Sequence, residues 1–309
     1  MRKETLFTID ALPYRQPISV YGYYFGTDTK TLAVMGAIRG DEFQQMYTAA
    51  RLVKRLSEIE SRGRLSEKCG LLVVPCAGQF SMNVGHRFWP LDNTDINRMF
   101  PGYEAGETTQ RLAGRIFEAL KGYHWGIHLT SLYLPGDFAP HIRVMDTGLQ
   151  MNDKGLDFGL PYLVIREPHP YDTTTLNYNW QIWETNTFSL YTRATDFIDE
   201  QSAEEAVDSI LRFLAKLDMI REEDIPPGVQ TQKLDENNLV TIHNKSAGIL
   251  LRRRGPGDKV AQGETIALII DPYTSEVREE IRAASDGVIF FARHAQILPS
   301  HTVVFRIIS

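Results

Sequence analysis

Two short, almost uninterrupted runs of apolar residues constrain the fold of this chain more than any other feature. The runs cover residues 31–38 and 71–74, and each has the length and composition of a buried strand. From Glu42 onward, apolar residues recur every three or four positions, which predicts a helix after the first strand. Buried strands that alternate with helices are typical of sheets with helices on both faces. The pattern therefore predicts an α/β fold with a mixed, mostly parallel sheet flanked by helices.

The same alternation continues through the first 225 residues. Similar patterns predict a helix at 108–120, strands at 162–165 and 188–191, and a helix that opens at a capping-box spacing in 202–205. In sheets of this type, ligands bind beyond the carboxyl ends of the strands. The residues just after Ile38 and those around Tyr191 are therefore expected to line one site.

The composition of the sequence changes near residues 222–228, where charged residues and prolines interrupt the helical pattern. Beyond this point, short apolar runs are separated by turns that contain glycine, which predicts a small all-β module. We therefore predict two domains, an α/β domain over residues 1–225 and a small, barrel-like β domain over residues 226–309.

Composition restricts the class of partner. The formal net charge of −6 argues against nucleic acid as a binding partner. The sequence contains no run of 18 apolar residues, so no membrane span is expected. Two cysteines, Cys69 and Cys76, are too few for a disulfide framework and fit free thiols in a reducing compartment. These features predict a cytoplasmic protein that binds neither nucleic acid nor membrane, and a homo-oligomer is compatible with them.

The stretch 95–102 places an amide and a guanidinium side by side before a Pro-Gly turn. Asn97 offers two donors and an acceptor, and Arg98 offers a rigid fork that can bind a carboxylate in bidentate fashion. The pair therefore predicts a pocket for the acid end of a small molecule. The alternative is an ordinary turn with a surface arginine.

Several stretches resemble the succinylglutamate desuccinylase/aspartoacylase family. The family motif D-[LI]-N-R-x-F-P-G matches residues 95–102, and an upstream family arginine matches Arg87. Residues 36–42 occupy the place of the family's G-x-x-H-G-x-E, with Glu42 at the position of its glutamate. The C-terminal module is similar to the family's small barrel-like domain, which itself resembles lipoyl domains. The resemblance implies a fold like that of the zinc carboxypeptidases.

The resemblance also implies a reaction. Family enzymes bind one zinc ion through histidine, glutamate and a later histidine, and a second glutamate acts as general base. They hydrolyse the amide bond of an N-acyl amino acid. By resemblance, Glu42 is a zinc ligand, and Arg87, Asn97 and Arg98 bind a small-molecule carboxylate. Three protein ligands leave an open position at which the metal can activate water.

This chain departs from the family pattern where the chemistry takes place. Arg39 stands at the first histidine, and a guanidinium has no free lone pair for a metal. Without gaps, Thr130 stands at the later histidine, and only this alignment also matches the family's P-x-I-R at 140–143. A shift of two residues would make His128 the ligand instead. Tyr191 stands at the general base, and a phenol with a pKa near 10 is a poor base at neutral pH. Glu184 could replace that base but falls on the opposite strand face.

Two interpretations remain open. In the first, the zinc site is degenerate and holds no metal, Arg39 and Glu42 form an ion pair in its place, and the cavity binds a small carboxylate without hydrolysing it. In the second, the chain is an active deacylase with an atypical metal site that includes Glu42 and His128, and Tyr191 acts as an acid or an oxyanion donor. The segment 171–183, rich in asparagine, threonine and aromatic residues, is either a lid over the site or a packed surface loop.

Overall fold

The chain forms a large mixed sheet covered by helices and two smaller antiparallel sheets. The computed structural model describes residues 1–10, 14, 16–131, 134–193, 195–221 and 224–309. The α-helices are α1 (Phe43–Ser61), α2 (Gln79–Asn83), α3 (Thr108–Leu120), α4 (Leu176–Ile182) and α5 (Glu200–Lys216). The strands up to residue 235 are β1 (Arg2–Ile9), β2 (Ile18–Gly26), β3 (Leu32–Ala37), β4 (Gly70–Cys76), β5 (Trp125–Leu129), β6 (Gly136–Phe138), β7 (His141–Met145), β8 (Tyr162–Arg166), β9 (Asn186–Tyr191) and β10 (Gln232–Asp235). The later strands are β11 (Val240–His243), β12 (Gly248–Arg252), β13 (Lys259–Val260), β14 (Thr265–Ile270), β15 (Val277–Arg282), β16 (Gly287–Arg293), β17 (Ile297–Leu298) and β18 (Val303–Ile308).

The large sheet has the strand order β1-β2-β4-β3-β5-β9-β7-β8-β10. Its central neighbours β4, β3, β5 and β9 run parallel, as do β7, β8 and β10. Antiparallel pairs join β1 to β2, β2 to β4, and β7 to β9. The predicted α/β class with a mixed, mostly parallel sheet is therefore confirmed.

The central strands are apolar throughout because both faces of the sheet are covered. Val34 of β3 belongs to a core that also contains residues of α1 and α5. Its neighbours Ala33 and Met35 belong to a second core, with residues of α3 and α4. Successive strand residues point to opposite faces, so a sheet between two helical layers needs apolar side chains at every position.

The C-terminal part forms two antiparallel sheets around their own apolar core. One has the order β11-β18-β16-β13, and β6 also pairs with β16; the other has the order β15-β14-β12-β17. The all-β character expected after residue 225 is confirmed, except that β10 extends the large sheet by pairing with β8. The division at 225/226 stays a prediction, and the predicted boundary residues Glu222 and Glu223 lie outside the described residues.

The helix expected to open at Ser202 begins earlier than the capping-box spacing predicts. Asp199 is the N-cap of α5, and its carboxylate accepts a hydrogen bond from the Ser202 backbone N–H at 3.1 Å. The Ser202 hydroxyl instead accepts the Arg193 backbone N–H at 3.1 Å. An aspartate three residues upstream therefore caps the helix, and the serine hydroxyl is used to fix the preceding loop.

No helix in the described ranges is both long and apolar enough to cross a membrane. Both cysteines are free. Burial raises the pKa of the Cys76 thiol to about 12, so this thiol is protonated and inert at neutral pH.

Candidate functional site

A cavity of about 460 Å³ lies where parallel strands of the large sheet end. Arg39 follows β3, Thr130 and Ser131 follow β5, and Tyr191 ends β9, and all four residues line the cavity. Because β3, β5 and β9 run parallel, their carboxyl ends meet at one edge of the sheet. The predicted location of the site, after Ile38 and around Tyr191, agrees with this geometry.

The turn between β3 and α1 is organised by Glu42. Its Oε2 accepts hydrogen bonds from the backbone N–H groups of Ile38 at 2.8 Å and Arg39 at 3.0 Å. Its Oε1 accepts from Arg39 Nη1 at 3.1 Å and from the Ser131 hydroxyl at 2.6 Å. The ion pair between Arg39 and Glu42 expected from the sequence is therefore present, and Glu42 is fully buried.

Gly40 allows this turn to pack closely against a neighbouring loop. A side-chain Cβ at residue 40 would lie 2.2 Å from the His86 carbonyl oxygen and 2.3 Å from the Ser81 carbonyl carbon. Both contacts are to backbone, which cannot move aside as a flexible side chain can. A glycine is therefore required between the arginine and the glutamate of this turn.

Asp95, the first residue of the 95–102 motif, holds Arg39 from the other side. Its two carboxylate oxygens accept from Arg39 Nε at 2.8 Å and Nη2 at 3.0 Å, which is the bidentate geometry that a guanidinium favours. Asp95 also caps the 3₁₀ turn Ile96–Arg98 by accepting the Asn97 backbone N–H at 3.0 Å. Arg39 is 2% exposed, so its charge is neutralised by two carboxylates rather than by solvent.

The residues at the family's ligand positions do not fit a zinc ion. Glu42 accepts four hydrogen bonds, which occupy about all of the lone-pair directions that a carboxylate offers. Arg39 occupies the same turn with a guanidinium, and Thr130 offers a hydroxyl. Among the described residues, no group of three or more His, Cys, Asp and Glu side chains is arranged to hold a metal ion.

His128 is buried beside this turn and carries one uncommitted nitrogen. Its Nδ1 lies 2.7 Å from Asn177 Oδ1, and Asn177 Nδ2 donates to the Thr187 hydroxyl at 3.1 Å. This network places the ring proton on Nδ1. Nε2 has no hydrogen-bond partner within the described part of the chain. Burial lowers the pKa of His128 to about 4, so the ring is neutral at pH 7.

Arg87, Asn97 and Arg98 line the same cavity but differ in how many of their side-chain donors already have a hydrogen-bond partner. Arg87 Nη1 lies 3.3 Å from Asp41 Oδ2 and 3.4 Å from the Ser131 hydroxyl. Asn97 Oδ1 accepts the Leu176 backbone N–H at 3.0 Å, and no hydrogen bond of its Nδ2 occurs among the described residues. Arg98 Nη1 donates to the Tyr171 carbonyl at 2.8 Å, which leaves its other nitrogens for a ligand.

The 171–183 segment is for the most part packed into the protein. Leu176 and Trp180 of α4 are fully buried, and Thr175 caps this helix by accepting the Tyr178 backbone N–H. Tyr171, just before the helix, is more than half exposed and lines the cavity next to Arg98. The packed alternative therefore describes α4, while the start of the segment forms part of the cavity wall.

Tyr191 is held rigidly by aromatic neighbours. Its ring stacks on His141 at a centroid distance of 4.6 Å and an interplanar angle of 5°, and Phe138 lies at 5.7 Å. The Arg143 guanidinium lies 4.8 Å from the same ring. Glu184, the alternative base, is exposed in the turn after α4 and does not line the cavity.

Burial and ion pairing act in opposite directions on the carboxylates at this end of the cavity. Burial is the largest single effect on Glu42 and Asp95 and opposes their ionisation, but the Arg39 guanidinium and the hydrogen bonds that each carboxylate accepts together outweigh it and lower the pKa of both carboxyls. Burial raises the pKa of Asp41, and the nearby Arg87 charge offsets this effect only in part. Two guanidiniums, Arg39 and Arg87, thus face three carboxyl groups, which leaves no excess positive charge here.

The buried His141 gives a prediction on pH. Burial, reinforced by the nearby Arg143 charge, lowers the pKa of His141 well below its ordinary value. As pH falls through about 6.5, His141 therefore becomes protonated in the unfolded chain but stays neutral in the folded chain. The free energy of unfolding should then decrease as pH drops below about 6.5. We expect this residue to contribute up to about 1.4 kcal/mol per pH unit, and His141→Phe to remove that slope.

Urea unfolding of both proteins between pH 7 and pH 5 measures this effect. Groups that titrate in both proteins, including His128, cancel in the difference between their unfolding free energies. A phenylalanine keeps the contact with Tyr191 but loses the hydrogen bond from His141 Nδ1 to the Ala139 carbonyl, which shifts stability equally at every pH. Parallel pH profiles for the two proteins would contradict the prediction.

Several residues of the site were not singled out from the sequence. Asp95 is the first residue of the motif at 95–102, and Arg143 is the last residue of the stretch that matches P-x-I-R. Both residues therefore lie in motifs that could have indicated them, although the sequence analysis gave neither a role in the site. Ser131, Arg166, Glu236 and Arg306 carried none, because they come from separate elements that only the folded chain brings to one cavity.

Comparison with known proteins agrees with the observed fold. Residues 28–130 match the family model described as the succinylglutamate desuccinylase/aspartoacylase catalytic domain. This range contains the turn of Glu42, the motif with Asn97 and Arg98, and Thr130 at its end. Over this range the chain is similar to the succinylglutamate desuccinylase/aspartoacylase family.

Individual relatives are distant in sequence and similar in fold. The chain is 24% identical over 272 residues to the N-alpha-acetyl-L-2,4-diaminobutyric acid deacetylase of Halomonas elongata, which covers 84% of this chain and 76% of the relative. An aspartoacylase family protein from Mesorhizobium loti has a TM-score of 0.77 at 19% identity, covering 99% of this chain and 94% of the other. The product-bound ectoine utilization protein EutE (DoeB) of Ruegeria pomeroyi has a TM-score of 0.76 at 17% identity, covering 94% and 89%.

Proposed function

We propose that this chain is a carboxylate-binding member of its family that does not carry out zinc-dependent hydrolysis. The observation that carries the proposal is the hydrogen bonding of Glu42, whose oxygens are taken by Arg39, Ser131 and two backbone N–H groups. A ligand carboxylate needs a free lone pair, and a guanidinium beside it repels a dication. Thr130 and Tyr191 further remove a nitrogen ligand and a carboxylate base from the expected positions.

The recognition half of the site supports binding of an N-acyl amino acid. Asn97 and Arg98 line the cavity with donors that the described residues leave free, and Tyr171 orients the Arg98 guanidinium. The name of the Halomonas elongata relative, a deacetylase of an N-acetylated amino acid, indicates the same ligand class. Binding without turnover is what such a pocket provides when no water is activated.

The loss of hydrolysis is tested by a turnover assay. We expect no release of amino acid from N-acetylaspartate, N-succinylglutamate or N-alpha-acetyl-2,4-diaminobutyrate, with or without added zinc, and well under one zinc per purified chain. Turnover that a chelator abolishes, or zinc near one equivalent, contradicts the proposal. Either result would support the active deacylase, with Glu42 and the free His128 Nε2 as part of an atypical metal site.

Carboxylate binding is tested separately by calorimetry with N-acetylglutamine. We expect Arg98→Ala to weaken binding by about tenfold or more, because a charge-assisted hydrogen bond to a carboxylate contributes about 1.5–3 kcal/mol. Arg253→Ala is the matched control, since Arg253 is exposed on the C-terminal part and does not line the cavity. Equal affinities of the Arg98→Ala variant and the wild type would show that the predicted carboxylate clamp does not operate.

A further inference from the structure

The sheet β15-β14-β12-β17 of the C-terminal part carries apolar side chains on its solvent face. One residue from each strand joins a single cross-strand row: Val277, Ile270, Ile249 and Ile297. Ile297 is 81% exposed and Val277 is 55% exposed, while Ile270 and Ile249 are partly exposed. An apolar row thus crosses the whole sheet from one edge strand to the other.

A second row on the same face repeats this pattern. Leu251 is exposed and pairs with Leu268, and a charged residue, Glu280, follows only at the β15 edge. The alternate residues Leu250 and Ile269 point to the other side, into the apolar core of the C-terminal part. An antiparallel sheet with one solvated face ordinarily has polar residues on that face. The outer face of this sheet therefore has the composition of a contact surface.

The edges of this sheet are protected against pairing with a further strand. At one edge, β17 consists of only two residues. At the other, the pairing of β15 with β14 is interrupted by two register shifts, and β15 carries four charged residues, Arg278, Glu279, Glu280 and Arg282. Short, bulged and charged edge strands oppose the addition of another strand. Association through this sheet is therefore expected on its face, by packing of side chains against side chains.

We propose that this outer face is the interface of a dimer, in which two copies of the chain pack sheet against sheet. A two-fold axis parallel to the strands, between β14 and β12, places β14 over the partner's β12 and β15 over the partner's β17. Ile270 then meets the partner's Ile249, and Val277 meets the partner's Ile297. The side chains of two sheets packed in this way fill a layer about 10 Å thick.

A second copy is the occupant that the pattern of this face favours. The first row is apolar from edge to edge, so its complement must also be apolar across its whole width, and a two-fold operation supplies such a surface. In the second row, Leu268 meets the partner's Leu251. Glu280 lies at the edge of the sheet, so its charge stays at the rim of the interface, where water can reach it.

The size of the outer face fits a weak dimer. Four strands span about 19 Å and six residues span about 20 Å, so each copy offers roughly 350 Å². Tyr273 lies at the tip of the β14–β15 hairpin, is 94% exposed and enlarges this surface by about 150–250 Å². Two copies therefore bury roughly 1,000 Å², which is near the lower limit of a specific interface. The dimer does not depend on the proposed function, because none of these residues lines the cavity.

Sedimentation velocity between about 5 and 500 µM tests the dimer. We expect the wild type to pass from monomer to dimer, with a dissociation constant on the order of 10–100 µM. Ile297→Asp should raise this constant at least about tenfold, because the dimer would bury a charge among apolar side chains. Val277→Thr keeps the shape and the strand propensity of valine, and its hydroxyl should raise the constant about threefold.

The matched control is Val229→Asp. Val229 is 56% exposed, like Val277, but lies outside the C-terminal sheets, so the dissociation constant should equal that of the wild type. Circular dichroism at the lowest concentration checks that each variant is folded. A monomer at every concentration overturns the dimer, and so does a dimer that neither Ile297→Asp nor Val277→Thr weakens.

A double variant tests the orientation of the two copies. Residues 277 and 297 of one chain are three strand spacings apart, about 14 Å, which is too far for an ion pair. Across the proposed axis they face each other twice. We therefore expect Ile297→Asp combined with Val277→Lys to dimerise more tightly than either single variant, because opposite charges then meet between copies. A double variant no tighter than the single variants overturns the two-fold arrangement.

Discussion

Replacing Arg39 with alanine is expected to lower the free energy of unfolding by about 3–5 kcal/mol at pH 7. The substitution leaves Glu42, which is 0% exposed, without its ion-pair partner. It also removes the two hydrogen bonds that Arg39 donates to Asp95. A buried carboxylate that loses its counter-charge keeps the cost of desolvation and gains nothing in return. Urea unfolding measures the change as a shift of the midpoint at constant slope.

The pH dependence of this loss identifies its origin. Arg39 lowers the pKa of Glu42 and Asp95 in the folded chain, so the stability they contribute is present above their unfolded pKa values and is lost as pH falls through the folded ones. The difference between wild type and Arg39→Ala should therefore shrink below about pH 4. Arg253→Ala is the surface control. If Arg39→Ala changes the free energy of unfolding by no more than about 0.5 kcal/mol at pH 7, Arg39 does not neutralise these carboxylates.

Introducing histidines at the two positions where the family has its zinc-binding histidines is expected to create a zinc site in this turn. In the double variant Arg39→His with Thr130→His, the guanidinium no longer occupies Glu42, and residue 130 adjoins Ser131, which contacts Glu42 at 2.6 Å. Two histidines and a glutamate are the ligands of many catalytic zinc sites. Zinc at 100 times its dissociation constant would stabilise the variant by about 2.7 kcal/mol, visible as a rise in Tm.

The controls separate a designed site from adventitious binding. The same double variant with Glu42→Gln should lose the zinc-dependent rise in Tm, since an uncharged amide is a poor zinc ligand. The wild type should show no rise at the same zinc concentration. An equal rise in the wild type would favour the alternative metal site with Glu42 and His128, and no rise in the double variant would show that this turn cannot present three ligands.

The elements of the α/β domain could be predicted because each follows from local patterns. The strand expected at 31–38 is β3 (Leu32–Ala37), and the helix expected at 108–120 is α3 (Thr108–Leu120). Their apolar spacing encodes burial on two faces or on one, and no distant contact is needed to infer it. The start of α5 was wrong because two residues, Asp199 and Ser202, could each cap the helix. Only the position of Arg193 determined which hydroxyl or carboxylate was free to do so.

The features of the candidate site that depend only on the chemistry of a single side chain could be predicted from the sequence. An arginine cannot serve as a metal ligand in any fold, so Arg39 already argued against an ordinary zinc site. The partner of Arg39 was predictable in part: Glu42 lies three residues away, whereas Asp95 lies 56 residues away and forms the bidentate pair. The sequence offered no means of ranking these two carboxylates, because their distances from Arg39 depend on the path of the intervening chain.

The sequence by itself determined which chemical groups this chain can offer: a guanidinium, a hydroxyl and a phenol at Arg39, Thr130 and Tyr191, and a donor pair at Asn97 and Arg98. Side-chain chemistry and short-range pattern are properties of the sequence, so they hold before any folding. Only the tertiary structure decided where charge is balanced and where it is not. Glu236 and Arg306 meet Arg143 because β10 joins the large sheet and β18 packs in the C-terminal sheet. Electrostatic energy depends on distance and burial in space, and neither can be measured along the chain.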